Sequence, residues 1–189
     1  MRHIIAFAGS NSSESINKQL ATYAAGLVIE VDTTILDLND FELPLFGVDL
    51  EKKIGIPENA HNFLNQIKNA DGIILSLAEH NGAYSTAFKN LFDWMSRAEQ
   101  KTFMGKPMLL MAASPGGRGG ASVLAIAKDR FPRHNAAIVA TFSLPNFKEN
   151  FSEGKVTNSS LNSDLLEAVN AFHDAIFKSE RKGTKAADI

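Results

Sequence analysis

The sequence predicts an α/β fold, a three-layer sandwich in which a five-stranded parallel sheet of order 2-1-3-4-5 carries helices on both faces. Two observations lead there. Short apolar runs recur at wide spacing along the 189 residues, and the stretches between them have helical periodicity. Strand and helix patterns that alternate five times imply parallel strands joined by crossovers over both faces of the sheet. A third observation marks the functional end. The first strand run breaks directly into a hydroxyl-rich loop and then into an amphipathic helix.

Strands are expected at His3–Ala8, Val31–Leu36, Gly72–Leu77, Met108–Ala113 and Ala136–Phe142. Ile16, Leu20, Tyr23, Ala24 and Leu27 mark the first helix, and Ala60, Phe63, Leu64 and Ile67 the second. Tyr84–Ala98, Ala121–Phe131 and Leu161–Phe177 read as the third, fourth and fifth. Five strands so connected fit the flavodoxin-like order, in which ligands bind beyond the carboxyl ends of the strands at the topological switch point. No internal repeat or linker divides the chain. One domain is expected over residues 1–180, with a polar, mobile tail over Arg181–Ile189.

Composition removes several classes of function. Apolar residues make up 44% and charged residues 21%, the balance of a globular domain. A net charge of −2 gives nucleic acid and anionic membranes no electrostatic footing. There are no cysteines, so thiolate catalysis, disulfides and iron–sulfur clusters are excluded. The five histidines show no metal-ligand spacing, and no metal site is expected. No signal-peptide core follows Arg2 and His3, and no apolar run approaches membrane-spanning length. The expected location is the cytoplasm.

Three loops carry the functional expectation. After the first strand comes Gly9-Ser10-Asn11-Ser12-Ser13-Glu14-Ser15-Ile16-Asn17. Free N–H groups at the start of a helix, the positive end of its dipole and serine hydroxyls make a phosphate cradle. The loop lacks the glycines of a dinucleotide fingerprint and the lysine of a triphosphate loop, which points to a phosphate monoester such as the tail of FMN. After the third strand comes Ala78-Glu79-His80-Asn81-Gly82-Ala83-Tyr84, and after the fourth Ser114-Pro115-Gly116-Gly117-Arg118-Gly119-Gly120. The last of these strips side chains away so that backbone can approach a flat ligand. Each loop also has a plainer reading: an ordinary serine N-cap, a solvated turn with left-handed residues, and a flexible connection.

At these loops the chain resembles the NADPH-dependent FMN reductase family, which includes quinone, chromate and azo-dye reductases. Gly9, Ser10, Ser15 and Asn17 match its first motif. Glu79, Asn81 and Gly82, followed by Lys89-Asn90 and Asp93-Trp94, match the second, and Ser114–Gly120 reproduces the third unchanged. Ser12 stands where the family usually has arginine, and Ala78 and His80 replace its proline and tyrosine beside the flavin ring. Lys18 either supplies the missing charge or points into solvent.

The resemblance implies bound FMN as the seat of the chemistry, NADPH or NADH as electron donor, and a small acceptor such as free flavin, a quinone, an azo dye or a metal oxyanion. It implies cofactor contacts from Ser10, Ser12, Ser15, Ile16, Asn17, Glu79, His80, Asn81, Gly82, Ser114, Gly116, Gly117 and Arg118, with no catalytic side chain of the protein's own. A flavin-binding electron carrier or sensor with little turnover is the alternative. In the third helix Ala87, Phe88, Leu91, Phe92, Trp94, Met95 and Ala98 span roughly 160° of surface. That width points to a homodimer or homotetramer formed through helix 84–98, as family members usually are; a helix buried within a monomer is the other reading.

Overall fold

The computed structural model describes residues 1–178, so the tail expected over 181–189 lies outside the described residues. Strands β1 (Arg2–Gly9), β2 (Val31–Leu36), β3 (Gly72–Leu77), β4 (Pro107–Ala113) and β5 (Ala137–Leu144) pair in the order β2-β1-β3-β4-β5, all parallel. Helices α1 (Ile16–Gly26), α2 (Val48–Ile54), α3 (Glu58–Asn69), α4 (Thr86–Ala98), α5 (Ala121–Arg130) and α6 (Ser159–Lys178) flank the sheet or the segments beside it.

Successive strand residues point to opposite faces, and each face buries its own core. Ile5, Phe7, Ile73, Leu75, Met108 and Leu110 join Phe63, Ile67, Leu91 and Met95 on the side of α3 and α4. Ile4, Ala6, Ile74, Leu109 and Met111 join Leu20, Ala24, Leu165, Val169 and Phe172 on the side of α1 and α6. Gly72 lets α6 come close: a Cβ there would lie 2.6 Å from Ile176 and 2.7 Å from Phe172. The loops after β1, β3 and β4 therefore leave the same end of a rigid, two-sided core.

Helix α4 follows the second reading of its broad apolar face. Phe88, Leu91, Phe92, Trp94 and Met95 are all buried within the chain itself. Residues 41–54 fold back over the part of the face that the sheet leaves uncovered. The Trp94 indole N–H donates to the Pro44 carbonyl at 2.7 Å, and the Phe46 ring meets the indole edge-on at 5.0 Å between centroids. Asn90 accepts from the Phe46 N–H at 2.8 Å, and Arg97 pairs with Glu51 at 2.9 Å. A broad apolar face thus needs no second subunit. The covering segment contains α2, which has no buried residue and hence no hydrophobic period to announce it.

Candidate functional site

A cavity of about 360 Å³ opens at the carboxyl end of the sheet, lined by residues 10, 12 and 14–17, by Ala78, Glu79 and His80, and by Ala113, Ser114 and Pro115. All three loops singled out in the sequence meet there. Of the expected site residues, Ser10, Ser12, Ser15, Ile16, Asn17, Glu79, His80 and Ser114 line the cavity. Asn81, Gly82, Gly116, Gly117 and Arg118 belong to the same loops but are not among its lining residues. Glu14, Ala78, Ala113 and Pro115 line it as well, though none of them was among the expected contacts.

The first loop is organised by its own hydroxyls. Ser10 Oγ accepts from the Ser12 N–H at 3.2 Å, Ser12 Oγ from Glu14 at 3.3 Å and Ser15 Oγ from Lys18 at 3.2 Å. Ser15 is the N-cap of α1, as the plainer reading has it. A hydroxyl that accepts from backbone keeps its proton, so each can still donate to a ligand. The N–H groups of Ile16 and Asn17 have no acceptor among the described residues. With no acidic residue in the first turn of α1, its positive end is left open to an anion.

Asn17 has a second task. Its side chain is buried, with Oδ1 accepting from the Ser76 hydroxyl at 2.7 Å and the Ala113 N–H at 2.8 Å, while Nδ2 donates to the Ala113 carbonyl at 3.2 Å. The carboxamide is engaged on all these sides, so it locks the first loop to the ends of β3 and β4. What it leaves for a ligand is its backbone N–H.

Lys18 does neither of the things expected of it. Its ammonium pairs with Asp37 just after β2. That hydrogen bond, with a further one from the Asn39 N–H, holds the Asp37 carboxyl below the usual carboxylate range. Asn39 in turn donates to the Asn11 carbonyl at 3.2 Å, tying the first loop to the segment after β2. The cavity lining contains no lysine or arginine.

The second loop is a tight hairpin in which Glu79–His80 pairs with Ala83–Tyr84. Asn81 and Gly82 turn it with φ of 51° and 76°, the left-handed pair a two-residue hairpin requires. The solvated-turn reading is therefore right about its shape, and His80 is exposed on it. Glu79 reaches away: its carboxylate accepts from the Val123 N–H at 2.9 Å, capping α5, whose N-cap Gly120 has no side chain to do so. Behind the hairpin Tyr84 stacks on Phe131, and burial pushes its phenol up to about 12, so it remains protonated at neutral pH.

The third loop is held, which sets aside the flexible-connection reading. Ser114 donates from its hydroxyl to the Gly116 carbonyl at 2.9 Å, and the Asn146 N–H donates to the same oxygen at 3.0 Å. The Phe147 N–H donates to the Ser114 carbonyl at 3.1 Å, and the Ser143 hydroxyl to the Gly119 carbonyl at 2.8 Å. Arg118 is exposed and donates to Ser122 at 3.1 Å. Gly116 has nothing within 4 Å of where a Cβ would stand, and Gly117 has only the Asn146 carboxamide, at 3.7 Å. Neither position is crowded by the chain.

With this geometry in view, the chain can be placed among known proteins. The family model described as NADPH-dependent FMN reductase matches residues 2–149. The chain belongs to that family. A quinone reductase of Escherichia coli is 34% identical over 80 residues, 42% of this chain and 43% of that protein. An NAD(P)H-dependent FMN reductase of Pseudomonas aeruginosa is 31% identical over 119 residues, 62% of this chain and 63% of that protein. These curated relatives are thus matched over less than two thirds of their own length. Among solved structures, the flavoenzyme FerB, an NAD(P)H:(acceptor) oxidoreductase of Paracoccus denitrificans, superposes with a TM-score of 0.74 at 25% identity, covering 94% of this chain and 98% of that one. The expected fold and family are both borne out.

Proposed function

We propose that this protein is an NAD(P)H-dependent, FMN-containing oxidoreductase that reduces a small acceptor: free flavin, a quinone, an azo dye or a metal oxyanion. The observation that carries the reading is the convergence of the three loops on one cavity, with the unpaired N–H groups of Ile16 and Asn17 in its wall. When bound, FMN supplies the two-electron chemistry, taking hydride from NAD(P)H and passing it to the acceptor.

The residues present fit such a group. A phosphate monoester at the start of α1 meets neutral donors: two backbone N–H groups and the hydroxyls of Ser10, Ser12 and Ser15. Neutral donors and a helix dipole hold a dianion without a cation, so the absence of the family's arginine is compatible with binding. The backbone of Glu79–Gly82 then borders the flavin ring on one side and the Gly116–Gly117 wall on the other. Glu79, by capping α5, keeps these two borders at a set separation. Arg118, exposed at the rim, is placed to attract the phosphates of the nicotinamide donor.

Two wider features belong to this reading. Leu45, Val48 and Ile54 are 74%, 56% and 50% exposed on the segment that covers α4, and such apolar surface supports a homo-oligomer formed there rather than through α4 itself. Among the described residues no helix is long and apolar enough to cross a membrane; the cytoplasm, where reduced pyridine nucleotides are available, is the compartment the reading implies.

The decisive experiment is a titration of apoprotein with FMN followed by anaerobic NADPH or NADH. A raised melting temperature with FMN and bleaching of the visible flavin band by the nucleotide are expected. No thermal shift with excess FMN refutes the cradle. Binding without bleaching favours the carrier or sensor, a reading encouraged by a cavity lining that has no lysine or arginine.

A further inference from the structure

We propose that the Asn146 carboxamide reads the pyrimidine edge of the flavin ring across the glycine wall, as a specificity-determining contact that none of the three motifs contains. The inference rests on the FMN reading above and adds a fourth loop to the site, the one after β5.

Asn146 leaves β5 through Pro145 at the same end of the sheet as the cavity. Its backbone is fully engaged there. The N–H donates to the Gly116 carbonyl at 3.0 Å, and the carbonyl accepts from Glu149 at 2.9 Å and Asn150 at 3.1 Å. The residue sits in the left-handed region, with φ 46° and ψ 55°, as the cap of the single helical turn Phe147–Asn150. A side chain that caps a helical turn does so from extended backbone, which this left-handed residue does not have. Here no such bond forms.

The carboxamide lies against the wall. Oδ1 is 3.7 Å and Nδ2 4.0 Å from the place a Cβ on Gly117 would occupy. Among the described residues this carboxamide makes no hydrogen bond, whereas those of Asn17, Asn39, Asn90 and Asn150 are all engaged. Like the amides of Asn11 and Asn81 in the first two loops, it still has both functions to offer, and it is the one that lies against Gly117.

A carboxamide presents one donor and one acceptor side by side. The pyrimidine half of a flavin presents the complement, an N3–H donor between two carbonyl acceptors. Rotating the amide by half a turn exchanges its two atoms, so either orientation finds a partner on that edge. The hydrocarbon edge of the ring offers neither group. Gly117 has no side chain to intervene. The residue thus selects the end of the ring that faces this loop.

The test compares FMN with 3-methyl-FMN, which lacks the N3–H, on wild-type apoprotein and on Asn146→Gly. Glycine keeps the left-handed backbone while removing the carboxamide. Wild type is expected to prefer FMN by about tenfold, roughly the worth of one hydrogen bond. Asn146→Gly should bind FMN about tenfold more weakly and show no preference. A glycine variant that keeps the wild-type preference, or a wild type that binds both flavins alike, overturns the proposal. Asn146→Asp, which keeps the shape but loses the donor and gains a charge, is the second variant; FMN affinity equal to wild type would also overturn it. A wild type showing no thermal shift with either flavin instead defeats the FMN reading, and this proposal with it.

Discussion

Gly116 and Gly117 lie three residues from Gly119 and Gly120 in one loop, and the two pairs answer to different demands. A Cβ on Gly119 would stand 2.1 Å from the Ser143 hydroxyl, and one on Gly120 would stand 2.6 Å from Ala112, both at positive φ. The chain cannot build the turn into α5 with larger residues there. Gly116 and Gly117 lie outside the left-handed region; a Cβ on Gly116 would meet nothing within 4 Å, and one on Gly117 only the Asn146 carboxamide at ordinary contact distance. Nothing in the packing of the chain calls for glycine at either place, as the proposed approach of a flat ligand requires. The contrast shows how to separate, within a single motif, the residues that shape the loop from those that leave room for a ligand.

The sharpest way to break this comparison is Gly120→Val. Strain at φ 75° together with the clash on Ala112 should cost on the order of 3 kcal/mol or more of stability, read from urea unfolding of apoprotein. Gly117→Val is its counterpart. Apoprotein stability should stay within about 0.5 kcal/mol of wild type. FMN affinity should fall by roughly a hundredfold, about 2.7 kcal/mol, because the valine fills the space against the ring. If both substitutions act mainly on stability, the division between the pairs is wrong.

A second contrast lies in the first loop, between Asn17, whose side chain is turned inward, and Ser12, whose side chain is exposed. Asn17→Ala leaves the Ser76 hydroxyl and the Ala113 N–H without their acceptor, and about 2 kcal/mol of stability should be lost whether or not flavin is present. Ser12→Arg should instead leave apoprotein stability alone and tighten FMN binding by about tenfold, through a charge-assisted contact the cradle now lacks. Equal effects of salt on FMN affinity in wild type and Ser12→Arg would argue against a phosphate at that position.

The smallest effect concerns Lys18 and Asp37. The folded-state pKa of Asp37 lies below its ordinary value, so its contribution to stability is present above that ordinary value and is lost as pH falls through the lowered one. Both groups are partly exposed, and Asp37→Asn should cost less than about 1 kcal/mol at pH 7. The difference from wild type should vanish in acid. A gap that persists below the carboxylate range would mean the pair is held by something other than charge.

Much of the molecule was legible in its residues. β2 and β3 fall at the expected bounds, and the other strands differ by one or two residues at their ends. A strand buried on both faces leaves a dense apolar run, and a helix lying on a sheet leaves a periodic stripe; both are local signals. α4 begins at Thr86 rather than Tyr84 because Ser85 caps it, accepting from the Phe88 N–H, while Tyr84 belongs to the hairpin. The segment 38–54 was not legible. It packs by covering what another element leaves bare, and a covering element has no period of its own.

The same division runs through the site. Sequence alone determined that a hydroxyl-rich helix start, a polar turn and a glycine run each follow a strand. The parallel topology then determined that they share one end of the sheet. Only the tertiary structure decided what each side chain does there. Asn17 turned inward to fasten two strands, Glu79 capped a helix from another loop, Lys18 went to Asp37, and Asn146 came to the glycine wall from about thirty positions along the chain. Elements arise from patterns within a few residues of one another, so a one-dimensional reading can find them. Partners of a polar group are chosen among whatever the fold brings within hydrogen-bond reach, and that choice is made in three dimensions.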